Sequence, residues 1–187
     1  MPGGRRYAPL IRLQKHVDKG NANAQIMLGT QYRDGGMGLQ QNFKRAARLY
    51  ERAAAQGHAD AQMRLGHCYE FGNGVKIDCK TAAQWYRRAA DQGYPDAQYN
   101  LGLLFRHGEG VAQSHDEAVR WFRLAAAQGH PSALFNLGVC YANGQGVTQD
   151  LGQPLKLRCQ GIRRRGGGGR PAPGAARGHL WPTDVTF

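Results

Sequence analysis

The side chains able to carry chemistry are spread thinly along this sequence. His67, His107, His115 and His130 could move protons or bind a metal, but none pairs with a second ligand at a helical spacing such as H-E-x-x-H. Cys68, Cys79, Cys140 and Cys159 are irregularly spaced and form no C-x-x-C pair, so neither a zinc knuckle nor a redox motif is written here. Free, buried thiols are expected, with a Cys68–Cys79 bridge as the alternative, because a helical hairpin brings those two turns together. Asp116 and Glu117 are adjacent, so they point to different sides of a helix; they suit a helix N-terminus better than paired acid–base work. The glycine pairs in GNGV and GEGV resemble phosphate loops in composition only, since no G-K-[ST] follows them and no strand precedes them. No catalytic, cofactor-binding or metal-binding set emerges, and the expected class is non-enzymatic.

The elements that hold these residues repeat. Ala61, Leu65, Gly66 and Tyr69 recur as Ala97, Leu101, Gly102 and Phe105 and again as Ala133, Leu137, Gly138 and Tyr141, each set 36 positions on. Ala24, Leu28, Gly29 and Tyr32 begin the series at an offset of 37, the extra residue falling in the loop around Met37. A second series runs through Ala46, Tyr50, Ala53, Ala54, Gln56 and Gly57, with copies at Ala82 to Gly93 and Ala118 to Gly129. Within one unit Ala61, Leu65, Cys68 and Tyr69 stand at i, i+4, i+7 and i+8, the apolar stripe of a helix. Gly72 and Gly74 end it, Asp78 is placed to cap the next helix, and Ala82, Trp85, Tyr86, Ala89 and Ala90 form a second stripe closed by Gly93. Helix pairs are therefore predicted at 24–34 and 43–55, 60–71 and 79–91, and 96–107 and 115–127. Glycines at 66, 102 and 138 inside helices cost about 1 kcal/mol each relative to alanine, which close helix approach would offset. The aromatic residues Tyr50, Tyr86, Trp85, Trp121 and Phe122 fall in the stripe and are expected in the core.

The fold class that follows is all-α, an α/α solenoid of about three and a half helix-turn-helix repeats. Residues 1–20 read as a partial repeat, with Leu10, Ile11, Gln14 and Val17 preceding Gly20 as a second helix precedes its glycine. Units follow at about 21–57, 58–93 and 94–129, with an incomplete one at 130–150. Residues 151–187 read as a basic Gly/Arg/Pro-rich tail, disordered beyond about Leu157, because Pro154 and the run Gly166 to Gly169 replace the expected stripe. The chain carries 18 Lys and Arg against 12 Asp and Glu up to Asp150 and 7 against Asp184 alone afterwards, so half of the basic excess lies in that tail. Arg163, Arg164, Arg165 and Arg170 make nucleic-acid binding an alternative function, although no aromatic residue alternates with them to stack on bases. A frame-shifted end is the other origin open to this segment. No run approaches the roughly 20 apolar residues that cross a bilayer and no signal-peptide core precedes the repeats, so a cytoplasmic location is expected.

The joint pattern A-x-x-x-L-G-x-x-Y, G-x-G-V, W-Y and A-A-x-Q-G, as in LGHCYEFGNGVKIDCKTAAQWYRRAADQGYPDAQ, resembles Sel-1-like repeats, relatives of tetratricopeptide repeats, from about Asn21 to Asp150. The resemblance implies a right-handed α/α superhelix acting as a scaffold or adaptor for protein partners. Cysteine-rich bacterial members of similar fold, linked to β-lactam binding, make a β-lactam-binding or hydrolysing enzyme a further alternative; the regular cysteine pair of that subgroup is missing here.

First helices usually line the concave face of such superhelices, which directs attention to first-helix positions that lie off the stripe and change between units. These are Ile26, Thr30 and Arg33, then Met63, His67 and Glu70, then Tyr99, Leu103 and Arg106, then Phe135, Val139 and Ala142. A partner-binding groove is expected from Met63, His67, Tyr99, Leu103, Arg106, Phe135 and Val139, edged also by Arg33 and Arg64 and receiving a peptide or helix without any cofactor. Packing between neighbouring units is the alternative role for the same residues.

Overall fold

The computed structural model describes residues 8–148. They form eight helices, α1 (Ala8–Asp18), α2 (Ala22–Asp34), α3 (Phe43–Ala55), α4 (Ala59–Phe71), α5 (Cys79–Asp91), α6 (Pro95–His107), α7 (His115–Ala127) and α8 (Pro131–Asn143), with no strand among the described residues. The expectations for the tail and the N-terminal heptapeptide lie outside them. Each helix packs principally on its neighbours in the chain, tightly within α2/α3, α4/α5 and α6/α7 and less extensively between hairpins, as a solenoid requires.

The second helices begin where their caps dictate. Asn42, Asp78 and Ser114 are extended, and their side chains accept the backbone N–H of Arg45, Thr81 and Glu117, satisfying a donor that the first helical turn leaves free. Their own N–H groups donate to the carbonyls of Tyr32, Tyr69 and Phe105, which folds the intervening loop back against the first helix. The first helices start one or two residues earlier than the stripe suggested. Asn21, His58, Tyr94 and His130 are already extended cap residues, so Ala22, Ala59, Pro95 and Pro131 are helical.

Two glycine positions fix how closely helices approach. Inside the first helices, a Cβ built on Gly29, Gly66 or Gly102 would lie 2.7, 2.7 or 2.6 Å from the ring of Tyr50, Tyr86 or Phe122, each almost fully buried on the second helix of the same unit. The missing methyl group lets each ring approach the facing helix closely. In the loops, Gly74 has φ +81° and sits on the carbonyl of Phe43, at the start of the preceding unit's second helix; Gly110 sits likewise on Cys79 and Gly146 on His115. The loop glycines are thus contacts between units as well as turns.

A polar seam runs alongside. Gln25, Gln62 and Gln98 are buried, and their side-chain oxygens accept from the amides of Gln56, Gln92 and Gln128 at 2.7 to 2.9 Å. Gln62 and Gln98 in turn donate to the carbonyls of Ala54 and Ala90 in the preceding unit. In the fourth unit Leu134 occupies this position.

Helix α1 closes with the same backbone bonds as a second helix: Gly20 N–H to Val17 and Asn21 N–H to His16 copy Gly57 to Ala54 and His58 to Ala53. Its buried side chains are Leu13 and Val17, with Leu13 at the position that Tyr50 occupies one unit later, while Ile11 and Gln14 are exposed. The offset of 37 from Gly20 to Gly57 places Leu13 opposite Tyr50, a correspondence hidden by the change from aromatic to aliphatic. Cys68, Cys79 and Cys140 are free thiols, Cys68 and Cys140 buried, so the Cys68–Cys79 bridge does not form.

Candidate functional site

The first helices α2, α4, α6 and α8 carry the variable positions, and the structure sorts these into two sets. Met63 and His67 of α4 line one cleft with Arg33 of α2, Phe43, Ala46 and Tyr50 of α3, Arg64 and Cys68 of α4, and Asn73 in the loop beyond; its volume is about 130 Å³. The floor is apolar and the walls are cationic. Arg33 is held by Asp34 through Nε (2.7 Å) and Nη2 (3.0 Å). Arg64 Nε donates to Asp60 at 2.9 Å, and the same carboxylate oxygen accepts the Tyr94 hydroxyl at 3.0 Å. The Arg64 guanidinium lies 5.9 Å from the centre of the Tyr50 ring.

His67 keeps one side in solvent and rests its ring against Phe71, 4.5 Å between centres. Partial burial in the cleft, followed by Arg33 and then Arg64, holds its pKa below the ordinary histidine value, so it is neutral at physiological pH and able both to donate and to accept. Burial pushes the Cys68 thiol up to about 11, with Arg33 acting weakly the other way. A thiol that stays protonated is inert as a nucleophile and serves the floor as an apolar group.

The second set is engaged in packing between units. Tyr99 stands between Phe122 (5.9 Å) and His130 (4.7 Å, stacked), and its hydroxyl accepts from the Asn136 amide at 3.4 Å. Arg106 Nη1 donates to Asn136 Oδ1 at 2.6 Å. Leu103 is half-buried against the core of α5 to α8, and Val139 is half-buried on α8, while Phe135 is 62% exposed. Of the seven candidate residues, Met63 and His67 line this cleft, Tyr99 and Arg106 both bond Asn136 across the α6/α8 seam, and Phe135 is exposed on α8.

What sequence reasoning missed is the contribution of α3. In the sequence Phe43 stands at a helix start and Tyr50 in a core stripe, and only the stacking of consecutive units brings both beside Met63. The bracket from Asp60 to Tyr94 joins residues 34 positions apart and carries no local signal beyond the repeat itself. Among the described residues no group of three His, Cys, Asp or Glu side chains is placed to hold a metal ion, and no helix is long and apolar enough to cross a membrane.

Against known proteins, the Sel1 repeat family model matches residues 22–58, 59–94, 95–130 and 131–153. Among solved structures, the chain is similar to a protective antigen of uropathogenic Escherichia coli displaying an SLR fold, with 37% identity and a TM-score of 0.80 over 83% of this chain and 33% of that one. It is also similar to a Sel1 repeat protein from Oxalobacter formigenes, with 33% identity and a TM-score of 0.75 over 83% of this chain and 63% of that one. The cysteine-rich protein B of Helicobacter pylori follows at 26% identity and a TM-score of 0.52, over 65% of this chain and 92% of that one. The chain thus spans a third of the first of these relatives and under two thirds of the second. No curated protein matches it. With four matched repeats and the hairpin geometry described above, the chain belongs to the Sel1 repeat family.

Proposed function

We propose that this protein is a non-enzymatic scaffold whose first-helix face captures a peptide or helix of a protein partner. Sel1 repeat proteins are generally protein-interaction scaffolds, which supports the class of function. The observation that carries the finer proposal is the cleft itself. It has an apolar floor and cationic walls, lies on the helices whose exposed positions vary between units, and is far smaller than the roughly 300–1,000 Å³ of a small-molecule pocket. Its size suits side chains of a larger ligand. Cys68, the nucleophile nearest the cleft, is held protonated by burial, which favours binding over catalysis there.

The test is capture from native lysate by full-length protein, with recovered proteins quantified by mass spectrometry. His67→Ala with Phe135→Ala alters the first-helix face at two exposed side chains, and Lys80→Ala with Gln84→Ala alters the outer face of α5. Arg87 is unsuitable as an outer-face probe because its guanidinium spreads over Phe105 and Trp121. The expected result is that one reproducible set of proteins is lost with the first pair alone. Equal recovery by all three forms, or loss confined to the outer-face pair, would remove the groove from consideration.

A further inference from the structure

The cleft between α2, α3 and α4 has a chemistry more definite than a generic groove. Arg64 spends its Nε on Asp60, and Asp60 is itself fixed by the Tyr94 hydroxyl of the following unit, so the guanidinium is braced from behind. Its Nη1 and Nη2 have no hydrogen-bond partner among the described residues, although the side chain is only 26% exposed. Across the cleft Arg33 uses Nε and Nη2 on Asp34, leaving Nη1. A paired-nitrogen edge of arginine is the geometry that a carboxylate accepts in bidentate fashion, and partial burial strengthens such a contact.

The local field agrees with this geometry. The charges that act on His67 are Arg33 and Arg64, and no carboxylate offsets them there, since Asp34 and Asp60 sit behind their own arginines. Beside this positive edge the floor offers Phe43, Tyr50 and Met63, and the volume of about 130 Å³ suits side chains of a larger ligand. Among the described units the combination occurs at one seam. At the place of Arg64 the other units have Met27, Asn100 and Asn136, and at the place of His67 they have Thr30, Leu103 and Val139.

We infer that this cleft is a receptor for one Asp or Glu side chain of a partner segment, read by Arg64 with Arg33, while an apolar residue next to that acid seats on Phe43, Tyr50 and Met63. The inference rests on the scaffold function proposed above for the partner being a protein, and it adds that the bound segment is acidic and apolar at adjoining positions.

An array of acetylated, amidated nonapeptides of random composition, probed with full-length protein, supplies ligands free of terminal carboxylates. Peptides retained are expected to carry Asp or Glu beside Leu, Ile, Met or Phe. In solution, changing that Glu to Gln in the peptide, or Arg64→Met in the protein, is expected to weaken binding at least tenfold. Met27 already fills the equivalent place in the first unit, and an unchanged thermal midpoint checks that the variant is folded. Arg120→Ala, an equal loss of charge on exposed α7, is expected to leave binding unchanged. The His67 imidazole, followed by NMR, is expected to titrate at higher pH in the complex, because a carboxylate favours its protonated form.

Retention of peptides without acidic preference, or equal weakening by Arg64→Met and Arg120→Ala, would overturn the inference. Peptides that bind without acid and perturb only α6 to α8 would do the same while leaving the scaffold function standing. If no peptide is retained at all, both fall. Inorganic phosphate shifting His67 as far as the best peptide does would reduce the cleft to a plain anion site and refute its apolar half.

Discussion

Gly66 lies so close beneath Tyr86 that a Cβ on it would stand 2.7 Å from the ring Cδ1, and the ring cannot swing away freely because its hydroxyl donates to Glu70 Oε2 at 2.5 Å. Gly66→Ala should therefore destabilise. The helix gains about 1 kcal/mol from losing glycine, while overpacking a closed core costs about 1 to 3 kcal/mol. A net loss of up to about 2 kcal/mol is expected by thermal or denaturant unfolding. In a Tyr86→Leu background, where the Cβ has room, the same change should be neutral or stabilising; an equal loss in both backgrounds would show that the glycine is not there for the ring.

The glutamine seam makes a second, sharper distinction. Gln62 accepts from Gln92 and donates to Ala54 O, but each of these has another partner: Gln92 also donates to Arg88 O, and Ala54 O also accepts from Gly57 N–H. Removing Gln62 thus orphans neither group. Gln62→Leu, which fills the space as Leu134 does in the fourth unit, should cost under about 1 kcal/mol. Gln62→Ala leaves a void and should cost about 2 kcal/mol or more. Equal losses for the two variants would show that the hydrogen bonds, and not the volume, hold the seam.

These two positions explain what the sequence disclosed and what it withheld. Gly66 and Tyr86 repeat because the steric demand is the same in every hairpin, so a fixed period exposes both and with them the fold. Gln62 repeats too, but its meaning lies in a bond to a residue 30 positions away, which periodicity does not express. The register of α1 escaped for a related reason: Leu13 takes the place of an aromatic residue, and only the backbone bonds at Gly20 align it. The candidate site was half legible. Variable first-helix positions marked Met63 and His67, whereas the roles of Phe43 and Asn73 depend on how consecutive units are superposed.

Glu70 offers a test by pH. Burial raises its pKa above the ordinary carboxylate value; the Tyr86 hydroxyl acts the other way, and Glu109 adds a small push upward. An acid that holds its proton more tightly when folded contributes stability that is complete below the unfolded pKa and is lost as pH rises through the folded one. Glu70→Gln keeps an acceptor for Tyr86 and removes the charge. Its thermal midpoint should equal or exceed that of the unmodified protein at about pH 7, with the gap closing as pH falls through the carboxylate range. A variant markedly less stable at neutral pH would mean that the charged hydrogen bond to Tyr86 outweighs the burial.

Tyr99 and Arg106 decide how far the first-helix face is free to bind anything. Tyr99 contacts Phe122 and His130 and accepts from Asn136, and Arg106 donates to the same asparagine, so both tie α6 to the unit that follows. Truncating a half-buried aromatic removes part of that contact, about 1 to 3 kcal/mol, and Arg106→Ala leaves Asn136 Oδ1 without its donor for about 1 kcal/mol more. In a domain of this size each kcal/mol lowers the thermal midpoint by about 2 to 4 °C, so the Tyr99→Ala, Arg106→Ala double variant should fall by several degrees. His67→Ala, which removes an exposed ring, should stay within about 0.5 kcal/mol of the unmodified protein. Calorimetry on the three forms, followed by peptide binding well below every midpoint, separates the two roles. If the double variant keeps its midpoint and loses ligand, the α6/α8 seam is a binding surface after all, and the groove extends along the whole first-helix face instead of ending at the cleft beside Arg64.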